Sequence, residues 1–262
     1  MLGAGAIAGC LGALVGIGGG VFLVPVLNVF VGLPFNQATA ASLVGVLATS
    51  GSGGLSPGPR LYNARLAILL LLFSVAGSTI GARTLNLFSD DTLKLIFGGT
   101  AAAIAALMLV RLNTRNVMPV GVDTGVLGGH FHDHDTNGDV AYRVKRVPVA
   151  AAVSFAAGVL TSLIGIGGGI LIVPMLNTLC GVPLRVAAAT SVLMIGVTAV
   201  PSLAARWAGG DLTDFHVAAV TAVGVLLGFQ LGRALSPLAP VRWLKMVMAV
   251  LVALVAAQYL LR

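Results

Sequence analysis

Two stretches of the chain read Gly-Ile-Gly-Gly-Gly, Gly16–Gly20 and Gly165–Gly169. Each leads into an apolar segment with one proline and one asparagine at matched spacing, Pro25 and Asn28, then Pro174 and Asn177. Glycine disfavours helix and lets a ligand come close to the backbone. A helix that starts after such a break aims its free N–H groups and positive dipole end at the break. Two such ends facing each other make an anion site without a buried cation. The candidate donors are the backbone at Gly18, Gly19, Gly20, Gly167, Gly168 and Gly169, the amides of Asn28 and Asn177, and the hydroxyls of Ser42, Thr190 and Ser191. Each has a structural alternative. Small residues pack helices closely in membranes, Ser and Thr bond back to helix carbonyls, and an asparagine in apolar surroundings can cap a broken loop.

Other chemistries find little support. The chain has no glutamate, and its eight aspartates fall at segment ends or in a central polar stretch. A proton-coupled carrier built on an intramembrane carboxylate is therefore not expected. His216, at a segment edge, is the remaining side-chain candidate for proton handling. The glycines are followed by no Gly-Lys-Ser/Thr and sit in no βαβ unit, which excludes a P-loop and a dinucleotide fingerprint. An enzyme would need a nucleophile–base pair, a metal cluster or paired carboxylates; the apolar segments hold none, so no catalytic residue and no cofactor are expected. Cys10 and Cys180 lie apart in apolar segments and form no disulfide framework. The formal charge of +7 comes without the aromatic-basic patch that nucleic acid needs.

The elements that must position these groups are membrane segments. The chain is 58% hydrophobic and 9% charged, with mean hydropathy +1.03; a soluble domain carries about 25% charged residues. No charged residue precedes Arg60. The uncharged runs hold eight segments, which predicts an all-α polytopic membrane protein. The apolar halves around each break, Gly5–Val15 with Val21–Val31 and Val153–Ile164 with Ile170–Cys180, are each about 17 Å long as helix. Each pair is either one broken span or a re-entrant hairpin. With broken spans the Lys and Arg divide nine to six across the membrane; with re-entrant pairs they divide eleven to four. The second fits the positive-inside rule better. It leaves three full crossings per copy, and an odd number makes the two copies inverted.

The copies themselves are plain. Residues 9–34 align without gaps on 158–183, with 14 of 26 positions identical. The likeness continues in Ala41-Ser42 against Thr190-Ser191 and in Gly77-x3-Gly81 against Gly228-x3-Gly232. The organisation expected is a first membrane repeat over 1–112, a polar linker over 113–147 and a second repeat over 148–262. In the linker, Asn137-Gly138 between short alternating runs predicts a β-hairpin outside the membrane. Asp133-x-Asp135-x-Asn137-Gly138 shares the start of a calcium loop, but Val144 stands where the bidentate glutamate is required. His130, His132 and His134 offer a metal alternative. The start of the chain lacks a basic n-region and a small-residue cleavage site, which speaks against a removed signal peptide.

The pattern GxxxxxxGIGGGxxLVPxLN at Gly9–Asn28, its repeat from Gly158, and Ala189-Thr190-Ser191 resemble the TauE/SafE family of sulfite exporters. The first copy has Ala40-Ala41-Ser42 instead of Ala-Thr-Ser. The resemblance implies a multi-pass carrier in the cell (inner or plasma) membrane. It also implies a small sulfur-containing anion as cargo, either sulfite, thiosulfate or an organosulfonate. Alternating access around a midplane site between the breaks is the expected mechanism; an anion channel with the same glycine-lined constriction is the alternative. Arg83 and Arg233, which end the Gly-x3-Gly helices, either snorkel to the interface or draw anions into a vestibule. Gln230 and Arg206-Trp207 read as interface residues in the same way. The small-residue faces would permit a homodimer.

Overall fold

A computed structural model describes residues 1–15, 19–54, 62–110, 125–133, 138–210, 215–235 and 241–260. The residues of the first break before Gly19, residues 134–137 of the expected hairpin, and residues 211–214 lie outside them. The elements of the first half are α1 (Leu2–Val15), α2 (Gly20–Pro25) running into a π-helical turn (Val26–Phe30), α3 (Phe35–Gly54), α4 (Ala64–Thr84) and α5 (Asp90–Val110). Those of the second half are α6 (Val147–Ile164), α7 (Gly169–Thr178), α8 (Leu184–Ala208), α9 (Phe215–Leu235) and α10 (Val241–Leu260). Between them, β1 (Gly129–Asp133) pairs antiparallel with β2 (Gly138–Tyr142), Gly129 opposite Tyr142 and Asp133 opposite Gly138.

Among the described residues, α4 with its trailing 3-10 turn, α6, α8 and α9 are long and apolar enough to cross a bilayer. Large apolar side chains such as Ile68, Leu72, Leu227 and Leu254 point outward, more than half exposed. Water would not tolerate so broad an apolar surface; lipid does. The chain is a mostly helical, multi-pass membrane protein. Two helix starts carry side-chain caps. The Asn63 side chain accepts from Leu66 N–H at 3.0 Å to start α4, and the Ser89 hydroxyl accepts from Thr92 N–H at 3.3 Å to start α5. One expected length differs. The half-helix before the second break begins at Val147, not Val153, and runs for 18 residues. Val147–Ala152 is likewise free of charge, and Pro148 in the first turn suits a helix start.

Glycines set which helices touch and in what direction. A Cβ added at Gly224, Gly228 or Gly232 of α9 would strike the carbonyl of Leu2, Ala6 or Cys10 of α1. The partners climb together, so α1 and α9 run parallel with backbones in contact. Gly77 and Gly81 of α4 meet the Phe155 and Val159 carbonyls of α6 in the same sense, so α4 and α6 are parallel too. Hydroxyls give the remaining directions. Ser74 pairs with Thr198 at 3.0 Å and Ser78 with Ser202 at 3.0 Å, which makes α4 and α8 parallel. Gly45 faces Val225 and Gln230 donates to Ser52 at 2.6 Å, which makes α3 and α9 parallel. Ser50 bonds the Val192 carbonyl while Asn36 meets Arg206, so α3 and α8 run antiparallel. An aromatic trio closes the other side: Phe35 of α3, Phe97 of α5 and Tyr259 of α10, with the last two rings 4.8 Å apart.

Gly228→Ala and Gly158→Ala are each expected to force backbones apart, at a cost of about 1–3 kcal/mol. Gly99→Ala, where an added Cβ meets nothing within 4 Å, should leave stability unchanged or raise it by up to about 1 kcal/mol. Thermal unfolding of the purified variants in detergent checks the contrast.

Candidate functional site

The second break is laid out in full. Helix α6 stops because Gly165 turns left-handed at φ 68°, with its N–H closing on the Thr161 carbonyl at 2.9 Å. Gly167 (φ 77°) and Gly168 (φ 64°) keep the chain left-handed before α7. A side chain is strained in that region, which accounts for the glycines chemically. Gly168 then becomes the cap of α7, its carbonyl accepting from Leu171 at 3.0 Å and Ile172 at 3.1 Å. In the first copy Gly19 does the same work at φ 76°, accepting from Phe22 and Leu23, both at 3.1 Å. Gly20 and Gly169 are buried at the helix starts, and Gly18 lies outside the described residues.

The two breaks touch. The Ser42 hydroxyl, fully buried, donates to the Gly165 carbonyl at 2.9 Å and faces the Gly20 carbonyl at 3.2 Å. A hydroxyl has one proton, so Ser42 is a clasp shared between the breaks. A Cβ at Gly20 would lie 3.0 Å from the Ser42 hydroxyl oxygen and 3.1 Å from the Ile166 carbonyl. Gly167 packs on the Val46 side chain, and Gly165 on Thr39. The helix α3 is thus the wall against which the second break rests.

The other sequence candidates sit in different places. Ser191, fully buried on α8, donates to Ala188 at 2.9 Å. Thr190, also fully buried, accepts from the Asn63 N–H at 3.1 Å. The asparagines are at the far ends of their helices. Asn177 donates to the Val182 carbonyl at 2.9 Å and Asn28 to the Leu33 carbonyl at 2.9 Å, each holding the turn that follows. Asn177 is nine residues past Gly168, about 13 Å along α7. Asn28 is also bonded by the Tyr259 hydroxyl at 3.3 Å. Arg83 and Arg233 are exposed at the ends of α4 and α9. Among the described residues there is no group of three His, Cys, Asp or Glu able to hold a metal ion.

Two features were not read from the sequence. Arg206, expected at the interface, is fully buried. It donates to the Ser162 and Leu163 carbonyls at 3.1 and 3.0 Å and to Asn36 at 3.4 Å. Beside it Ser78, Ser162 and Ser202 form a buried hydroxyl cluster, Ser162 to Ser202 at 2.6 Å and Ser78 to Ser162 at 3.0 Å. The signal was in the spacing. Thr198, Ser202 and Arg206 recur every four residues and share one face of α8, as Ser74 and Ser78 share one face of α4.

The hairpin is tied to the same region. Asn63 donates to the Tyr142 hydroxyl at 2.9 Å and to the Leu127 carbonyl at 2.6 Å, and its own N–H reaches Thr190. Burial pushes the Tyr142 phenol above its ordinary range, and the Asn63 bond lowers it by less.

With this geometry in hand, the chain matches the family model for the sulfite exporter TauE/SafE over residues 1–259. It belongs to that family. It is 26% identical to the probable membrane transporter protein YunE of Bacillus subtilis over 97% of this chain and 94% of that one. It is 27% identical to a probable membrane transporter protein of Xylella fastidiosa, over 90% and 83% respectively. The probable membrane transporter protein YdhB of Bacillus subtilis is 27% identical over 86% and 82%. No solved structure gives a significant match. The protein is a membrane transporter.

Two outcomes follow. Asn177→Ala should lower thermal stability by about 1–2 kcal/mol, the loss of a buried bond; thermal unfolding of the purified variant checks it. Tyr142, with its pKa raised in the fold, contributes stability that is complete below the ordinary tyrosine pKa and is lost as pH rises through the raised value. Alkaline unfolding should therefore begin above the ordinary tyrosine range, and Tyr142→Phe should remove that component of the titration.

Proposed function

We propose that the protein carries a small sulfur-containing anion across the cell membrane by alternating access around the two glycine breaks. The cargo class is sulfite, thiosulfate or a short organosulfonate. The proposed site comprises the backbone at Gly19, Gly20 and Gly167–Gly169 with Ser42, and the Thr190 and Ser191 hydroxyls one helix away. The observation that carries the reading is the convergence of both breaks on Ser42. Irregular backbone at membrane depth is tolerated where it lines a cavity or is buried in protein, and α7 brings a helix start to that point. An anion there would take the place of carbonyl partners at the clasp and meet N–H groups at the start of α7.

The helix directions support an inverted pair of repeats. Helices α3 and α8 are equivalent in the two copies and run antiparallel. Helix α6 runs with α4 and α8, so α7 turns back at the glycines. Helix α1 runs with α9 and α3, so the first copy does likewise. This order matches the eleven-to-four division of Lys and Arg, with the richer side cytoplasmic. Helices α7 and α2 with its π turn, 10 and 11 residues long, would return from opposite faces to a common depth of about 15 Å. Rocking of one repeat against the other would then open the clasp to each side in turn.

Uptake of radiolabelled sulfite, thiosulfate and methanesulfonate into proteoliposomes tests the reading. Saturable transport with counterflow of at least one is expected. Current without counterflow would replace the carrier with a channel, and no movement of any of the three by folded protein would overturn the cargo class. Gly168→Ala places a Cβ 2.7 Å from the Thr161 hydroxyl at a left-handed φ. It is expected to raise the half-saturating concentration about tenfold or more in protein that still folds.

A further inference from the structure

The second break poses an electrostatic problem for an anion. Helix α7 begins there, but α6 ends there, and a helix end carries about half a negative charge on its last free carbonyls. The start of α7 and the end of α6 therefore oppose each other, and a bare break would hold an anion only weakly. The structure supplies a counterweight. The Arg206 side chain, 0% exposed, lays one guanidinium nitrogen between the Ser162 and Leu163 carbonyls at 3.1 and 3.0 Å. These are carbonyls of the last turn of α6, two and three residues before Gly165. The Ser162 hydroxyl is held from behind by Ser202 and by the Ser78 carbonyl, both at 2.6 Å. Ser202 is one turn before Arg206 on α8, so a single buried network fixes both the carbonyls and the cation that meets them. The other guanidinium arm reaches Asn36 at the start of α3, the helix that carries the Ser42 clasp.

We propose that Arg206 is a positioning and charge-balancing residue that neutralises the carbonyl end of α6 and so gives the second break its preference for anions. The inference rests on the anion-transport reading above. Arginine suits the task because its planar fork stays charged when buried and can bond two carbonyls at once. The first half has no counterpart: the position 149 residues earlier is Pro57, so only the second half carries this charge. The electrostatic benefit scales with the charge of the cargo, which separates this role from a merely structural one.

The test compares Arg206→Gln, which keeps hydrogen-bond donors and loses the charge, with Arg206→Lys, which keeps the charge and loses the fork. Equilibrium binding of radiolabelled thiosulfate, doubly charged, and methanesulfonate, singly charged, is measured on the wild type and both variants. Arg206→Gln should weaken methanesulfonate about tenfold and thiosulfate by about a hundredfold, as expected for a Coulombic term. Arg206→Lys should restore most of both and keep the wild-type ratio of the two affinities. A Gln variant with wild-type affinities, or equal losses for the two anions, would overturn the proposal. If Gln fails to fold, Arg206→Met decides in its place: a larger loss for thiosulfate than for methanesulfonate supports the charge, and equal losses or a wild-type pair of affinities overturns it. A wild type that binds neither anion would overturn the transport reading itself, whatever the variants do.

Discussion

A chain that leaves the helix inside a bilayer must find partners for every N–H and C=O it frees, because lipid offers none. That requirement governs this molecule. At the second break the Gly165 N–H turns back onto Thr161, the Gly165 carbonyl takes the Ser42 proton, and the carbonyls just before it take Arg206. Each partner comes from a different part of the chain. The break can therefore exist only when α3, α6 and α8 are assembled around it. Local irregularity and global packing are one problem with one solution.

The packing that brings those partners together is made by glycine and by hydroxyls. Gly158 against Ser74 and Gly228 against Ala6 let helix backbones touch where any side chain would hold them apart. The two close contacts, α1 with α9 and α4 with α6, exchange when the halves are exchanged, so the bundle keeps the symmetry of the duplication. The hydroxyl cluster breaks it. Ser78, Ser162 and Ser202 tie α4, α6 and α8 together. Their counterparts by the same alignment offsets are Phe229, Ala13 and Gly53, which carry no hydroxyl to make such a network. Among the described residues the side with α4, α6 and α8 is tied by this hydroxyl cluster, while α1 meets α9 through backbone contact at glycines.

Much of this was readable in the sequence. The breaks, the duplication and the membrane class rest on patterns that physics makes nearly unambiguous: repeated glycines in apolar runs and a shortage of charge. Arg206 was not readable as a single residue, because an arginine in the last turn of a long apolar helix looks like one that snorkels. Only the four-residue recurrence of Thr198, Ser202 and Arg206 marks a polar face turned inward. The asparagines carry two readings in the sequence, a cap or a contact with substrate. Asn28 and Asn177 share the repeat with the glycines, yet their amides close the turns at the other ends of the helices. Shared repetition marks a shared fold as readily as a shared site. The length of α6 was not legible because nothing polar marks its start: Val147–Ala152 is as free of charge as the residues that follow.

The measurement that tests the central claim most directly is the reactivity of a single cysteine at the clasp. Ser42→Cys, made with Cys10 and Cys180 replaced by Ala, would be exposed to a membrane-impermeant thiol reagent from each side of sealed vesicles in turn. The account predicts modification from either side, slowed by methanesulfonate in both cases, because the two breaks bound a site that opens alternately. Modification from neither side, or from one side alone at a rate the anion does not change, would contradict it.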